Sequence, residues 1–221
     1  MVPLQVTAKL RGGVVLPNGP LMLDALLGAA ICIRDGIQPA HNPEDLVPLY
    51  IPIARAEHDP RIYLCSGSEG EVEVFDGRFV NRRFPLTEAQ GLAEPGLKRI
   101  LITGGPCKSY RLPLVVQHMR DDKLVWWAIG DAGAVRDLLG LISYLGKRRG
   151  VGYGEVAAWE VAQVVPWGDG FPVVREGQPT RPLPPSWPGL SPDVEQAFRV
   201  LSPPYWRQHA EELCAIPRWQ L

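Results

Sequence analysis

The sequence predicts an α+β fold in which two helices are set among several strands. Hydrophobic residues recur at helical spacing over residues 21–33 and again over 134–145. Apolar and polar residues alternate over 4–10 and 155–165, a pattern typical of half-buried strands. Further β-type runs lie between the two helices, so the predicted order is strand, helix, several strands, helix, strand.

Glycine and proline residues predict where the elements around the first helix begin and end. Turn-forming residues at 12–20 end the first strand, and Arg34-Asp-Gly36 ends the helix. Residues 37–46 are predicted to form a loop. Residues 47–53 contain two prolines, which restrict this segment to an edge strand or an extended stretch.

The middle of the chain is predicted to be rich in strands. A turn is expected at Asp76-Gly77, and a hairpin is compatible with the segments on either side of a Gly-Gly-Pro turn. Arranged in β-α-β-β-α-β order, the elements predict a ferredoxin-like (RRM-like) domain over 1–165 with a β-rich, thumb-like insertion at about 62–120. The predicted middle strands are 62–64, 71–75, 78–84, 98–103, 110–119 and 124–129.

Residues 166–221 differ in composition from the rest of the chain. Proline dominates 172–192, which predicts an extended connector. Ser191-Pro192 and Ser202-Pro203 have the residue types of an N-cap followed by the first helical position, so two short helices are expected in this extension. The extension also holds four tryptophans that are expected to pin it to the domain or to a partner, namely Trp167, Trp187, Trp206 and Trp219.

The composition indicates a folded chain with no global sign of its partner. Hydrophobic residues make up 46% and charged residues 21%, and the net charge is −1, so any basic surface must be local. None of the four cysteines has metal-type spacing, and we expect reduced thiols, no metal and no cofactor. There is no signal-peptide pattern and no apolar run of the ~20 residues needed to span a membrane. We therefore expect a cytoplasmic protein.

The segment 146–154, between the second helix and the last strand, combines glycines with three consecutive cations. A dinucleotide fingerprint needs the opposite order, a strand before the glycines and a helix after them. One interpretation that stays open is a structural loop with a solvated basic tip. The other is a clamp on an RNA backbone, in which Lys147, Arg148 and Arg149 neutralise phosphates, glycine N–H groups donate to them and Tyr153 stacks on a base.

Local charge favours the second interpretation. Residues 77–120 contain eight basic and only two acidic residues in a chain whose net charge is −1. This asymmetry is typical of a backbone-binding face, although ordinary surface ion pairing is an alternative. Lys108, Tyr110 and Arg111, beside the Gly-Gly-Pro turn, are candidates for a finger that wedges between nucleotides, or else for a solvated hairpin tip.

The segment Tyr144–Val156, YLGKRRGVGYGEV, resembles the glycine-rich loop of the RAMP superfamily of CRISPR-associated proteins. Residues 21–27 and 103–113 are similar to the type IV member of the Cas-five family, and the resemblance spans roughly residues 4–165. It implies a non-catalytic subunit of a type IV CRISPR effector complex. Such a subunit holds the 5′ handle of the crRNA and contacts the backbone and large subunits, with target DNA near the protospacer-adjacent motif as a further candidate partner.

The resemblance also implies which residues bind RNA. The handle-binding candidates lie in the glycine-rich loop, and further RNA-binding candidates lie in the basic region. The full set is Lys147, Arg148, Arg149, Gly150, Gly152, Tyr153, Gly154, Lys108, Tyr110, Arg111, Arg82 and Arg83.

Two other functions are compatible with the sequence. Related RAMP proteins cleave RNA, and a metal-independent endoribonuclease that processes crRNA would need a general base and a general acid, most often histidine. The chain has His41 and His58 after the first helix, His118 in the basic region and His209 in the extension, with no evident pairing among them. A protein-interaction module that does not bind RNA is the third possibility, and it would lack the salt dependence of phosphate contacts.

Overall fold

The computed structural model describes residues 1–17, 19–38, 45–82, 103, 108–207 and 210–218. The predicted mixed α/β class is confirmed: in the described part of the chain, two α-helices accompany small antiparallel sheets. Short 3-10 turns occupy Arg120–Asp122 and Arg149–Val151. In chain order the elements are β1 (Val2–Leu10), α1 (Leu23–Asp35), β2 (Val72–Arg82), β3 (Tyr110–Met119), β4 (Lys123–Gly130), α2 (Ala132–Leu139), β5 (Val156–Gln163), β6 (Val174–Arg175), β7 (Gln178–Pro179), β8 (Gln196–Arg199) and β9 (Glu212–Ala215).

A three-stranded sheet forms the centre of the fold. Its order is β4-β1-β5, and β1 is antiparallel to both neighbours. On the far side of β4, Cys65 and Glu69 form antiparallel bridges to Ala128 and Val125. An irregular segment therefore runs along the outer edge of β4, although it is not a continuous strand.

Both helices pack against the inner residues of this sheet. Leu27 of α1 and Leu139 of α2 join Leu4 and Trp126 in one buried cluster. The carboxylate of Asp131 caps α2 by accepting a hydrogen bond from the Ala134 N–H at 3.0 Å. The predicted extension of this helix to residue 145 is wrong, because residues 141 and 142 donate to carbonyls three residues back and residue 144 then bridges to Glu155, just before β5.

The strands β2 and β3 form a separate antiparallel ribbon. The predicted turn at Asp76-Gly77 is wrong: β2 continues through both residues, which pair with Val116 and Val115 of β3. A long partner strand satisfies the backbone groups on either side, so tertiary pairing overrides the local turn preference. Part of the predicted hairpin partner, residues 98–102, lies outside the described residues.

The C-terminal extension contains two further small ribbons, β6-β7 and β8-β9. The short helix predicted after Ser191-Pro192 is wrong: a turn follows Ser191, and β8 begins at Gln196, which leaves too few residues for a helix. The helix predicted after Ser202-Pro203 stays a prediction, because residues 208 and 209 lie outside the described residues. No helix in the described part of the chain is long and apolar enough to cross a membrane.

A second hydrophobic cluster joins this extension to the loop that precedes β2. Leu183, Trp187 and Cys214 of the extension pack with Ala56 and Ile62. Trp167 of the extension lies edge-on to Trp127 of β4, with ring centroids 5.2 Å apart. Trp167 and Trp187 therefore hold the extension against the domain, as predicted for these two residues.

A buried ion pair ties the extension to α1. The side chains of Arg181 and Asp24 are both 0% exposed, and Arg181 Nη2 lies 3.1 Å from Asp24 Oδ2. The Tyr205 hydroxyl donates to the same carboxylate, and Arg181 Nη1 donates to the Tyr63 carbonyl at 2.7 Å. Burial lowers the pKa of the Arg181 guanidinium, but the Tyr205 oxygen and the Asp24 carboxylate outweigh it and the net shift is upward.

Candidate nucleic-acid interface

The glycine-rich loop 146–154 is held at both ends by main-chain contacts. The Lys147 N–H donates to the Val15 carbonyl at 2.7 Å, and the Gly154 N–H donates to the Gly13 carbonyl at 3.0 Å. Gly146 and Gly154 have φ of 73° and 75°, and a Cβ on either would collide with a neighbouring carbonyl oxygen. These two glycines are therefore required for backbone packing.

The middle of the loop is open. A Cβ on Gly150 or Gly152 would have no atom within 4 Å. Lys147, Arg148 and Arg149 are exposed, and within the described residues none of them forms an ion pair with a carboxylate. The loop thus presents three adjacent cations beside main chain that another molecule can approach closely.

Tyr153 is less accessible than a base-stacking residue is expected to be. Its side chain is half-buried and packs against a small cluster formed by Val15, Leu114 and Val116. Leu114 and Val116 belong to β3, so the middle of the β2-β3 ribbon packs against the loop through Tyr153. The sequence patterns did not indicate this contact.

Several of the predicted RNA-binding residues lie at the far end of the ribbon. Among the described residues, no contact joins them to the glycine-rich loop. Lys108 is exposed, and Tyr110 is half-buried and paired with Arg82 at the end of β2. The Arg111 guanidinium lies over the Phe79 ring, 3.9 Å from its centroid. Arg83 lies outside the described residues.

Ion pairing accounts for part of the basic region. Arg78 lies 2.7 Å from Asp76, and Arg120 lies 2.6 Å from Glu71. The hydrogen bond from Arg78 to Asp76 is the main cause of the raised pKa of Arg78. Among the described residues Arg111 has no such acidic partner, so its charge is not compensated within that part of the chain.

Comparison with known protein families gives a match over most of the chain. The model of the family described as CRISPR type IV associated protein Csf3 matches residues 54–217. The chain belongs to the Csf3 family. No curated protein matches it. The predicted resemblance to the type IV CRISPR-associated proteins is thereby confirmed, and membership implies association with other type IV CRISPR components.

The Csf3 match covers the ribbon, the glycine-rich loop and most of the C-terminal extension. The sequence pattern of the extension did not by itself indicate a family, yet most of the extension lies within the matched span. The extension packs on the rest of the chain through Arg181 and Trp187, as expected if one family model covers both parts of the chain.

Two of the four histidines lie within the described part of this Csf3-family chain, and they have different surroundings. The His58 ring packs against the Trp187 ring at a tilt of 53°, with centroids 4.1 Å apart. The His118 ring lies against Gly13, where a Cβ would come within 3.1 Å of His118 Cε1. Gly13 accepts the hydrogen bond from Gly154, so His118 is adjacent to the base of the loop.

The cysteines show no sign of metal chemistry in the parts of the chain that the structure covers. Cys32, Cys65 and Cys214 are free thiols, and no group of three possible metal ligands occurs among the described residues. Burial raises the pKa of the Cys65 thiol and raises that of Cys214 to about 11. Cys107 lies outside the described residues.

Sequence reasoning missed the exposed apolar face of the ribbon. Phe75, Phe79 and Val115 are 51%, 55% and 53% exposed, which is unusual for neighbouring large apolar side chains. The alternating pattern Phe75-x-Gly77-x-Phe79 could have indicated this face. It was hidden by the turn predicted at residues 76–77.

Proposed function

We propose that this chain is a non-catalytic RNA-binding subunit of a type IV CRISPR effector complex and that it holds the 5′ handle of the crRNA. The observation that carries the proposal is the cluster of three exposed, unpaired cations, Lys147 to Arg149, within the described part of the chain. They stand on a loop whose two ends are fixed by hydrogen bonds to residues 13–15. A fixed cationic loop loses little conformational entropy when it binds a phosphate chain.

The open middle of the loop suits a sugar-phosphate backbone. Gly150 and Gly152 leave space beside the main chain, so phosphates can approach it closely. Lys147, Arg148 and Arg149 would neutralise these phosphates and release counterions. Tyr153, packed below the loop, would set its position, and the remaining predicted contacts at Lys108, Tyr110 and Arg82 would extend the RNA-binding surface along the ribbon.

We also infer a ferredoxin-like arrangement of the RAMP type. The supporting features are the antiparallel order β4-β1-β5, the irregular segment paired with the outer edge of β4, and helices that follow β1 and β4. In such an arrangement the glycine-rich loop lies between the last helix and the last strand, as residues 146–154 do here. The backbone and large subunits, and DNA near the protospacer-adjacent motif, remain the predicted partners of this domain.

Removing the three loop cations tests the proposal. Changing Lys147, Arg148 and Arg149 together to Ala is expected to weaken crRNA binding by about 10- to 100-fold at low salt. The plot of log affinity against log salt should become shallower by about 2, since each neutralised phosphate of a single strand contributes about 0.7. Filter binding with a crRNA at four salt concentrations measures both quantities.

The matched control removes the same amount of charge elsewhere. Lys9, Arg11 and Arg120 are exposed and paired with Glu160, Glu155 and Glu71, and the triple Ala variant at these sites should bind RNA with the wild-type salt slope. Equal affinity and slope in the loop variant and the wild type would contradict the proposed role of the loop.

A crRNA-processing endoribonuclease is the second candidate, favoured by the position of His118 beside the base of the loop. Co-expression of the chain with a CRISPR array and the other complex proteins, followed by end-mapping of bound RNA, separates the two functions. We expect the variant with His41, His58 and His118 all changed to Ala to yield the same guide ends as the wild type. Guides trimmed only by the wild type would identify the chain as a nuclease.

A further inference from the structure

A cleft of about 310 Å³ lies where the C-terminal extension meets the loop that precedes β2. Its volume is at the lower end of the range for small-ligand sites, which is about 300–1,000 Å³. The polar and charged side chains that line it are Arg61, Ser202, Arg207 and Glu212. None of these four residues belongs to the glycine-rich loop or to the β2-β3 ribbon, so the cleft is a separate feature of the chain.

The cleft contains one cation whose charge is not compensated. The Arg61 guanidinium lies 2.8 Å from Asp59 and 2.6 Å from Glu212, so it neutralises the carboxylate of the lining. Arg207, by contrast, pairs with no carboxylate among the described residues, and its Nε–H is shielded from solvent without an acceptor there. A buried donor without an acceptor costs free energy, so an oxyanion that accepts from Arg207 would be bound favourably.

The walls of the cleft are held in place by hydrogen bonds. The carbonyl of Leu201, a lining residue, accepts from the buried Arg181 at 2.8 Å. The Tyr205 hydroxyl, two residues before the unpaired arginine, accepts from Arg181 at 2.7 Å. On the opposite wall, Arg61 Nε and Nη2 donate to the Asp59 carboxylate at 3.0 and 2.8 Å. A site that is fixed before binding loses little conformational entropy when a ligand enters it.

The donors around the cleft match a phosphate group better than a carboxylate. A guanidinium has five N–H donors, and Arg61 uses three of them in its bonds to Asp59 and Glu212, so two remain. The Ser202 hydroxyl and the Arg207 guanidinium are further donors, so the donors come from three side chains. A planar carboxylate can be satisfied by a single guanidinium, whereas the oxygens of a tetrahedral phosphate point in several directions and need donors on several sides.

We propose that this cleft binds a phosphate group, with Arg207 as its main contact and with Ser202 and Arg61 as additional donors. The Arg207 side chain turns so that its Nε–H and one Nη–H donate to two phosphate oxygens, and the Ser202 hydroxyl donates to a third. The site does not rest on the proposed role of the glycine-rich loop. The phosphate is either the free anion or part of a nucleic-acid strand, and a competition experiment distinguishes these two sources.

A titration of the full chain with inorganic phosphate tests the cleft. Phosphate is added at constant ionic strength up to about 10 mM, where its general stabilising effect on proteins is small. We expect the phosphorus NMR line of the anion to broaden, and the melting temperature to rise by about 3–5 °C once phosphate exceeds its Kd about tenfold. Acetate at the same concentrations should have no effect. An equal response to acetate, or no response to phosphate, would overturn the proposal.

Substitutions in and beside the cleft locate the bound phosphate. Arg207→Gln should weaken phosphate binding by about tenfold or more, because it removes charge-assisted hydrogen bonds, and Ser202→Ala by about threefold or more. Arg199→Gln is the matched control, since Arg199 is an exposed arginine of β8 outside the lining and its loss should leave the affinity unchanged. Wild-type affinity in both cleft variants, or an equal loss in the control, would overturn the proposal.

A competition experiment identifies the source of the phosphate. The full chain with Lys147, Arg148 and Arg149 all changed to Ala is saturated with inorganic phosphate, and a short single-stranded RNA with a 5′-hydroxyl end is added. If the line of inorganic phosphate narrows, a phosphodiester of the RNA has displaced the anion, and an unchanged line identifies free phosphate as the ligand. Both results support a phosphate-binding cleft. Because the loop cations are absent from this variant, failure of the cleft proposal is distinguishable from failure of the proposed loop function.

Discussion

Replacing Arg181 by methionine should lower the free energy of unfolding by about 3–5 kcal/mol, because it leaves the Asp24 carboxylate buried without a counter-charge. Both side chains are 0% exposed, so water cannot replace the lost guanidinium. The Tyr205 hydroxyl still donates to the carboxylate but carries no positive charge. Urea denaturation followed by tryptophan fluorescence measures the change.

A double variant distinguishes loss of the ion pair from loss of packing. Combining Asp24→Leu with Arg181→Met removes both charges, so most of the lost stability should return even though Tyr205 loses its acceptor. If the single Arg181→Met variant unfolds at the wild-type urea concentration, the pair does not contribute to stability. If the double variant is as unstable as the two single variants added together, the two residues act independently.

The second large effect is expected at Gly154. Changing it to Ala places a Cβ against the Leu145 carbonyl at a residue whose φ is 75°, so the backbone must shift. Strain and overpacking together should cost about 2–5 kcal/mol. The same shift would move Lys147 to Arg149, so crRNA binding should weaken in parallel. Thermal melting and filter binding measure the two effects.

Gly150→Ala provides the comparison within the same loop. A Cβ at Gly150 meets nothing within 4 Å and its φ is not in the left-handed region, so stability should change by less than about 1 kcal/mol. A mild weakening of RNA binding at this position alone would support close approach of the phosphate backbone. Equal destabilisation by the two substitutions would contradict the distinct roles assigned to these glycines.

Local periodicity was sufficient to predict the elements whose pattern depends on one buried face. β1, α1, β4 and β5 show such a pattern, and each lies within a few residues of its predicted position. The β2-β3 ribbon was harder to predict, because the continuity of β2 through Asp76-Gly77 depends on β3, which lies more than 30 residues away in sequence. Ser191-Pro192 in the extension suggested a helix, but the pairing of β8 with β9 took precedence there.

The candidate site was located by sequence, but the roles of its residues were not. Glycine spacing and the three cations marked the loop, since both are local features. The sequence could not separate Gly154, which packs against a carbonyl, from Gly150, which faces open space. It also could not foresee that Tyr153 is covered by Leu114 and Val116, because that contact joins distant segments.

The buried pair of Asp24 and Arg181 also affects how the chain matures on the ribosome. α1 is synthesised before the two side chains that satisfy the Asp24 carboxylate, because Arg181 and Tyr205 follow Asp24 by 157 and 181 residues. Until Arg181 and Tyr205 have been synthesised, the Asp24 carboxylate of α1 must stay in contact with water. The part of the core that packs on α1 therefore cannot form completely. A polypeptide that terminates before residue 181 would therefore remain incompletely folded and open to proteases, so truncated subunits would be removed before they could occupy a place in an assembling complex.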